Sequence, residues 1–168
     1  AGFAPRAAPA PIGEEKGKLD ASHFATAKQE TIALNEDGFR VIAVAYKEID
    51  HQKDVYLPAD ECDLTLLSYI AFLDPPKEST APALRALAEH GVSVKVLTGD
   101  NELVTRKVCA DVGLEVGRMV LGREVEELDD AHLRIFVEQH QVFAKLTPAH
   151  KERIVHALHA NGHVVGFM

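Results

Sequence analysis

Residues 92–101 have the sequence VSVKVLTGDN, in which an apolar segment runs directly into a turn. Val92 to Leu97 is predicted to form a short strand, and the turn leads into a helix from Glu102 to Val112. The chain after Asp63 repeats this alternation of strand and helix, which predicts right-handed crossovers and a parallel sheet with helices on both faces. The other strands are predicted at Leu64–Leu73, Met119–Leu121, Val142–Ala144 and His163–Phe167, and the other helices at Ser79–His90, Asp129–Gln139 and Pro148–Ala160.

The residues before Asp63 have a different character. Residues 1–19 contain prolines among small residues and no apolar period, which is typical of a linker or an expression remnant. Asp20 to Asn35 favours a helix with a cap at Asp20 or Ser22, and Phe39 to Ile49 favours a strand. We therefore predict a linker over residues 1–19, a smaller piece over residues 20–63, and an α/β domain over residues 64–168.

Composition narrows the classes of function. The 168 residues carry 18 Lys and Arg against 26 Asp and Glu, so the net charge is -8 and nucleic acid is not expected as a partner. The sequence contains no apolar run of the roughly 20 residues that cross a bilayer, so we expect no membrane span and no direct membrane contact. Two cysteines that form no C-x-x-C pair indicate a reducing, cytosolic setting without a cysteine-based metal site.

In a doubly wound sheet, ligands bind beyond the carboxyl ends of the strands, so the residues that follow each strand are the candidates for a site. Thr98 to Asn101 supplies a hydroxyl, a glycine that permits close backbone approach, and free N–H groups at a helix start, which together suit a phosphoryl group. The same tetrapeptide is equally explained as a helix cap, in which Asp100 or Asn101 satisfies unpaired N–H groups.

Three further positions follow or begin predicted elements. Asp74 lies just past a strand, before two prolines, and is more often part of a structural turn. Lys151 falls in the first turn of a helix, where its ammonium could neutralise a phosphate, although most such lysines are only solvated. Arg40 begins a strand and could grip a polyphosphate, although alone it is an ordinary exposed arginine. His156, His159 and His163 have a metal-like spacing, but a wet helix face explains them better, so no metal site is predicted.

Taken in order, these segments resemble the cytoplasmic part of the P-type cation-transporting ATPases, which are members of the haloacid dehalogenase superfamily. FRVIAVA at residues 39–45 is similar to the strand of the nucleotide-binding domain that carries an arginine toward ATP. FLDPPK at 72–77 resembles the hinge into the phosphorylation domain, TGDN at 98–101 the phosphate-binding loop, and FAKLTPAHK at 143–151 the segment with the phosphate-binding lysine. The resemblance extends from about Phe24 to Met168 and is greatest to the bacterial magnesium-transporting branch.

The resemblance implies a fold and a set of roles. The fold would be a haloacid dehalogenase-like (Rossmannoid) parallel sheet, preceded by a helix and strand of the nucleotide-binding domain. Thr98 and Gly99 would hydrogen-bond the transferred phosphoryl group, and Lys151 would balance its charge, because positioning and charge neutralisation carry most of phosphoryl-transfer catalysis. The residues implied in nucleotide binding are Asp100, Lys145 and Arg40, with Asp74 supporting the hinge.

The sequence also departs from the family pattern. The family's Asp-Lys-Thr-Gly-Thr, whose aspartate accepts the phosphoryl group, does not occur, and the nearest string, Asp63-Leu64-Thr65, precedes a predicted strand instead of following one. The family's magnesium motif, Gly-Asp-Gly-x-Asn-Asp, is also absent. We therefore expect an inactive fragment whose complete parent uses ATP and Mg²⁺.

The resemblance further implies that the parent is an integral inner-membrane protein. This chain would be part of its cytoplasmic domain, with transmembrane and actuator domains of the same polypeptide as partners. Two alternatives stay open: a free-standing phosphatase of the same superfamily, which needs a D-x-[DT] after a strand, and a non-catalytic phosphate-binding or interaction domain.

Overall fold

The computed structural model describes residues 20–49 and 54–167. Its contacts divide the chain into two compact units. The first unit comprises the described residues up to Asn35 together with Phe39–Asp74, and the second comprises Glu36–Gly38 and the residues from Pro75 onward.

The first unit is a helix followed by a two-stranded antiparallel sheet. Helix α1 spans Ala21–Glu36, strand β1 spans Phe39–Tyr46, a single 3-10 turn covers Pro58–Asp60, and strand β2 spans Thr65–Leu73. The predicted cap at Asp20 is confirmed, because its carboxylate accepts hydrogen bonds of 2.9 Å from the backbone N–H groups of Ser22 and His23. In the sheet, Phe39 lies opposite Leu73 and Tyr46 opposite Thr65.

The strand predicted over Leu64–Leu73 forms, but it does not join the parallel sheet. It pairs antiparallel with β1 along the whole length of that strand, and it is not fully buried, because exposed and half-buried residues alternate along much of it. The physical reason is length: β1 has 8 residues, whereas the strands of the second unit have only two or three residues to offer as partners. The contacts accordingly divide the chain at Asp74–Pro75, not near Asp63.

The second unit is an α/β domain built on three short parallel strands. Strand β3 is Val96–Leu97, β4 is Met119–Leu121 and β5 is Val142–Ala144, in the order β3-β5-β4. All three strands run in one direction, so their carboxyl ends lie along one edge of the sheet. The helices are α2 (Thr80–Glu89), α3 (Glu102–Asp111), α4 (Gly122–Glu127), α5 (Asp130–Gln139) and α6 (Pro148–Ala160).

The core of this unit forms around the central strand β5, whose three residues are all buried. Apolar residues of β4 and of α4, α5 and α6 pack against it, and the fully buried ones are Val120, Val125, Leu133, Val137 and Ile154. Arg153 of α6 adds a polar clamp, because its guanidinium donates to the carbonyl oxygens of Val125 at 2.9 Å and Leu128 at 2.8 Å. These hydrogen bonds join α6 to the end of α4.

The predicted set of elements needs three corrections. The strand predicted at Val92–Leu97 is confined to Val96–Leu97, and helix α4 was not predicted. The strand predicted at His163–Phe167 does not form within the described residues: Val165 packs against the core, but Val164 is 99% exposed and Phe167 84% exposed. An apolar segment becomes a strand only where a neighbouring strand can pair with its backbone, and composition alone does not supply that neighbour.

Candidate functional site

Backbone hydrogen bonds join the segments that follow β3 and β5. The N–H of Thr98 donates to the carbonyl oxygen of Phe143 at 3.0 Å, which continues the parallel ladder by one step. Beyond it, the N–H of Lys145 donates to the backbone carbonyl oxygen of Asp100 at 2.8 Å, and the N–H of Leu146 donates to that of Thr98 at 3.0 Å. The two predicted phosphate-facing segments therefore form one joined structure at the carboxyl edge of the sheet.

The first segment is a tight turn closed by its own side chains. The hydroxyl of Thr98 donates to a carboxylate oxygen of Asp100 at 2.9 Å, and the N–H of Asp100 donates back to that hydroxyl at 3.1 Å. Gly99 allows the segment after β5 to approach, because a Cβ at this position would lie 3.3 Å from the carbonyl oxygen of Leu146. The Thr98 hydroxyl thus lies at the sheet edge with its proton directed to Asp100.

Asn101 caps helix α3. Its side-chain oxygen accepts hydrogen bonds of 3.0 Å from the N–H groups of Leu103 and Val104. The helix-cap explanation of the tetrapeptide is therefore confirmed for Asn101, and the expectation of unused N–H groups at this helix start is wrong for Leu103 and Val104. The cap leaves Thr98, Gly99 and the two joined segments in place at the same edge.

Lys145 begins the second segment in an unusual backbone conformation. Its φ is 53°, in the left-handed region that few residues other than glycine adopt. Its ammonium lies 3.0 Å from a carboxylate oxygen of Glu102, in an ion pair whose side chains are 54% and 36% exposed. Partial burial would by itself raise the pKa of Glu102, but hydrogen bonds from its own backbone N–H and from Lys145 hold it below the ordinary value.

Lys151 lies in the first turn of α6, as predicted. Thr147 caps this helix, accepting from the N–H of His150 at 3.3 Å, and Pro148 occupies the first helical position. The backbone N–H of Lys151 donates to the carbonyl oxygen of Thr147 at 3.2 Å. Its side chain is half-buried and forms no ion pair with any carboxylate of residues 20–49 and 54–167.

Gly122, the buried glycine that directly follows β4, was not predicted as part of the site. A Cβ at Gly122 would overlap the carbonyl oxygen of Lys145 and would lie 2.7 Å from Nδ1 of His150. The segment after β4 therefore packs closely against the segment after β5, which begins at Lys145. A glycine immediately after a strand that ends at the ligand edge is the sequence feature that would have identified it.

Arg40 and Asp74 belong to the first unit, whereas Thr98, Lys145 and Lys151 belong to the second. Arg40 is exposed in β1 opposite Phe72, and Asp74 is exposed directly after β2.

His156, His159 and His163, whose spacing resembles that of metal ligands on a helix, do not converge on a common site. His163 is 2.8 Å from a carboxylate oxygen of Glu138, and His156 and His159 are exposed on α6. The part of the chain that the structure describes holds no group of three His, Cys, Asp or Glu side chains arranged for a metal ion.

The sequence profile of the haloacid dehalogenase-like hydrolases matches residues 6–167. The chain belongs to this family. Its parallel sheet with helices agrees with the haloacid dehalogenase-like fold that the motifs predict, so that prediction is confirmed.

Relatives of this haloacid dehalogenase-like chain are cation-transporting ATPases. The magnesium-transporting ATPase, P-type 1, of Escherichia coli K12 is 55% identical over 141 residues, which are 84% of this chain and 16% of that protein. The protein of the same name from Salmonella typhimurium LT2 is 51% identical over 150 residues, 89% of this chain and 17% of that protein. The calcium-transporting ATPase of Bacillus subtilis 168 is 33% identical over 134 residues, 79% of this chain and 15% of that protein.

The predicted resemblance to P-type ATPases is therefore confirmed, and the chain spans only about a sixth of the length of the magnesium-transporting relatives. None of the described helices is both long enough and apolar enough to cross a bilayer.

Proposed function

We propose that this chain is the phosphate-handling part of a P-type ATPase that moves a cation, with Mg²⁺ as the first candidate. The observation that carries the proposal is the pair of backbone hydrogen bonds that join the Thr98 and Lys145 segments at the carboxyl edge of the sheet. That edge is where α/β folds bind their ligands. The names of the relatives from Escherichia coli and Salmonella typhimurium support magnesium as the cation.

The proposed chemistry at this edge is stabilisation of a transferred phosphoryl group. The Thr98 hydroxyl turns its proton from Asp100 to a phosphate oxygen, and the close approach that Gly99 permits keeps the backbone beside that oxygen. The ammonium of Lys151 neutralises the negative charge of the phosphate. The aspartate that receives the phosphoryl group belongs to a part of the parent polypeptide that these 168 residues do not contain.

ATP is the proposed phosphoryl donor, and the residues at the edge fit a phosphate better than they fit a metal ion. Asp100 and Lys145 are proposed to contact the sugar or the phosphates, Arg40 to contact the phosphates, and Asp74 to support the hinge. Mg²⁺ supplies charge neutralisation on ATP when it is bound. The described residues offer no cluster of three His, Cys, Asp or Glu side chains that could hold Mg²⁺.

The proposed setting follows from the relatives. The parent is an integral inner-membrane protein, and this chain lies in its cytoplasmic domain. Its proposed partners are the transmembrane and actuator domains of the same polypeptide. The matched relatives are about six times longer than the matched region, which supports the presence of other domains in the parent.

An NMR titration with inorganic phosphate tests the site. We expect the backbone amide signals of Thr98, Gly99, Lys145 and Leu146 to shift and saturate, because these residues line the proposed edge. The Lys151→Ala variant is expected to weaken phosphate binding about tenfold, as the loss of a charged hydrogen bond predicts. The matched control is Lys107→Ala, which removes the same charge from α3, where Lys107 pairs with Asp111. Equal binding by the Lys151→Ala variant and the control would refute the assignment of Lys151.

A blot of fractionated cells with serum raised against this domain tests the proposed setting. A membrane-fraction band far larger than 18.3 kDa supports the transporter. A soluble band of that size contradicts it and supports a free-standing phosphatase or a non-catalytic interaction domain.

A further inference from the structure

Lys145 has two possible charge partners at the sheet edge, and the structure shows it with one of them. Its ammonium is paired with Glu102, the first residue of α3, at 3.0 Å. The other possible partner is an anion bound at the same edge, where the Thr98 hydroxyl and the Lys151 segment lie. The state of this ion pair therefore decides whether the Lys145 charge is available to a phosphate.

The backbone of Lys145 is held by contacts with two other segments, whereas about half of its side chain is exposed. Its N–H donates to Asp100 at 2.8 Å, and its carbonyl group lies against Gly122. The lysine side chain is 54% exposed, so rotation about its side-chain bonds can move the ammonium without disturbing this frame. Exchange between Glu102 and an anion is then a local side-chain event.

Glu102 also faces positive charge from a third segment. Arg123, which follows Gly122 in α4, contributes to the low pKa of Glu102 together with Lys145. Glu102 is thus the carboxylate that pairs with Lys145 at this edge. An anion must compete with it for Lys145, and such competition weakens anion binding.

We propose that Glu102 is a positioning residue that keeps the Lys145 ammonium in the ion pair and releases it when a phosphate anion binds at the carboxyl edge of the sheet. The inference rests on the proposed phosphate site and adds a control element to it. The ligand class is a phosphate anion, and inorganic phosphate is the probe.

The test compares phosphate affinity in four proteins by the same NMR titration: the wild type, Glu102→Gln, Asp111→Asn and the double variant Glu102→Gln with Lys145→Gln. Asp111→Asn is the matched control, because it removes the same charge from the same helix and also frees a lysine, Lys107. Glu102→Gln is expected to bind phosphate about two- to fivefold more tightly than the control, the size of an exposed ion pair. The gain should vanish when Lys145 is also replaced, because the effect acts through that residue.

A second readout separates positioning from a purely structural role. Titration of the Glu102 side-chain carboxyl by carbon NMR should show that Lys145→Gln raises its pKa, and that saturating phosphate raises it in the wild type as well. The second shift is expected because the bound anion draws the ammonium away.

The outcomes distinguish this inference from the proposed function. If the wild type binds phosphate in a Lys151-dependent way but Glu102→Gln matches Asp111→Asn, the positioning role is overturned and the phosphate site stands. A gain that persists in the double variant also overturns the role. If neither the wild type nor Glu102→Gln binds phosphate, the site and the inference fail together.

Discussion

Gly122 shows how one residue without a side chain sets the geometry of a site. Any Cβ there would overlap the Lys145 carbonyl oxygen, which is backbone and cannot rotate aside. We expect Gly122→Ala to lower the free energy of unfolding by about 1–3 kcal/mol, the usual cost of overpacking. Urea denaturation followed by circular dichroism measures it. Gly117→Ala is the control, because a Cβ at Gly117 would meet nothing within 4 Å, and equal losses in both variants would contradict the steric explanation.

The two cysteines differ in their exposure to solvent. Cys62 is exposed, whereas Cys109 is 2% exposed and burial raises the pKa of its thiol. Because the thiolate is the reactive form, a disulfide reagent should modify Cys62 rapidly and Cys109 only after denaturation. Absorbance of the released thiolate follows both reactions. Cys62→Ser should abolish the fast reaction, and a fast reaction remaining in that variant would show that α3 opens readily.

At the scale of elements, the cap of α3 is the feature most open to test. Asn101 satisfies two N–H groups of the helix that leaves the site, so Asn101→Ala should cost about 1 kcal/mol in the free energy of unfolding. Asn101→Asp keeps the accepting oxygen and should retain most of that stability. Urea unfolding of the three proteins, followed by circular dichroism, decides the matter, and an unchanged Asn101→Ala variant would mean that the cap contributes nothing.

Elements were predictable where local chemistry determines them. Helix α6 has its predicted bounds, because Thr147 and Pro148 mark its start and apolar residues recur along it. Strands β4 and β5 also have their predicted bounds. The pairing of β2 with β1 was not predictable, because a run of apolar residues favours a strand but does not indicate which strand it will pair with.

The candidate site shows the same division. Thr98 and Lys151 were predicted from the rule that ligands bind at the carboxyl edge, and backbone hydrogen bonds join the segments in which they lie. The cap at Asn101 is local and was one of the two explanations predicted for the tetrapeptide. The Glu102–Lys145 ion pair and the contact at Gly122 depend on distances between segments far apart in sequence, which the residues alone do not give.

At the scale of the whole molecule, the chain should neither hydrolyse ATP nor become phosphorylated. It contains no Asp-Lys-Thr-Gly-Thr, and Asp63 precedes β2 instead of following a strand of the parallel sheet. Incubation with γ-labelled ATP, acid quenching and autoradiography provides the measurement, with a casein kinase reaction as positive control. An acid-stable label that hydroxylamine removes would reveal an acyl phosphate and contradict the expectation.

The bonds that join the two segments of the site have a consequence for its evolution. They run between main-chain atoms of Thr98, Asp100, Lys145 and Leu146, so they survive a change of side chain at any of these positions. Descendants of one ancestral scaffold can therefore exchange the chemical groups at this edge while inheriting its architecture unchanged. The glycines have less of that freedom, because a Cβ at Gly122 would overlap the carbonyl oxygen of Lys145 and a Cβ at Gly99 would lie 3.3 Å from that of Leu146.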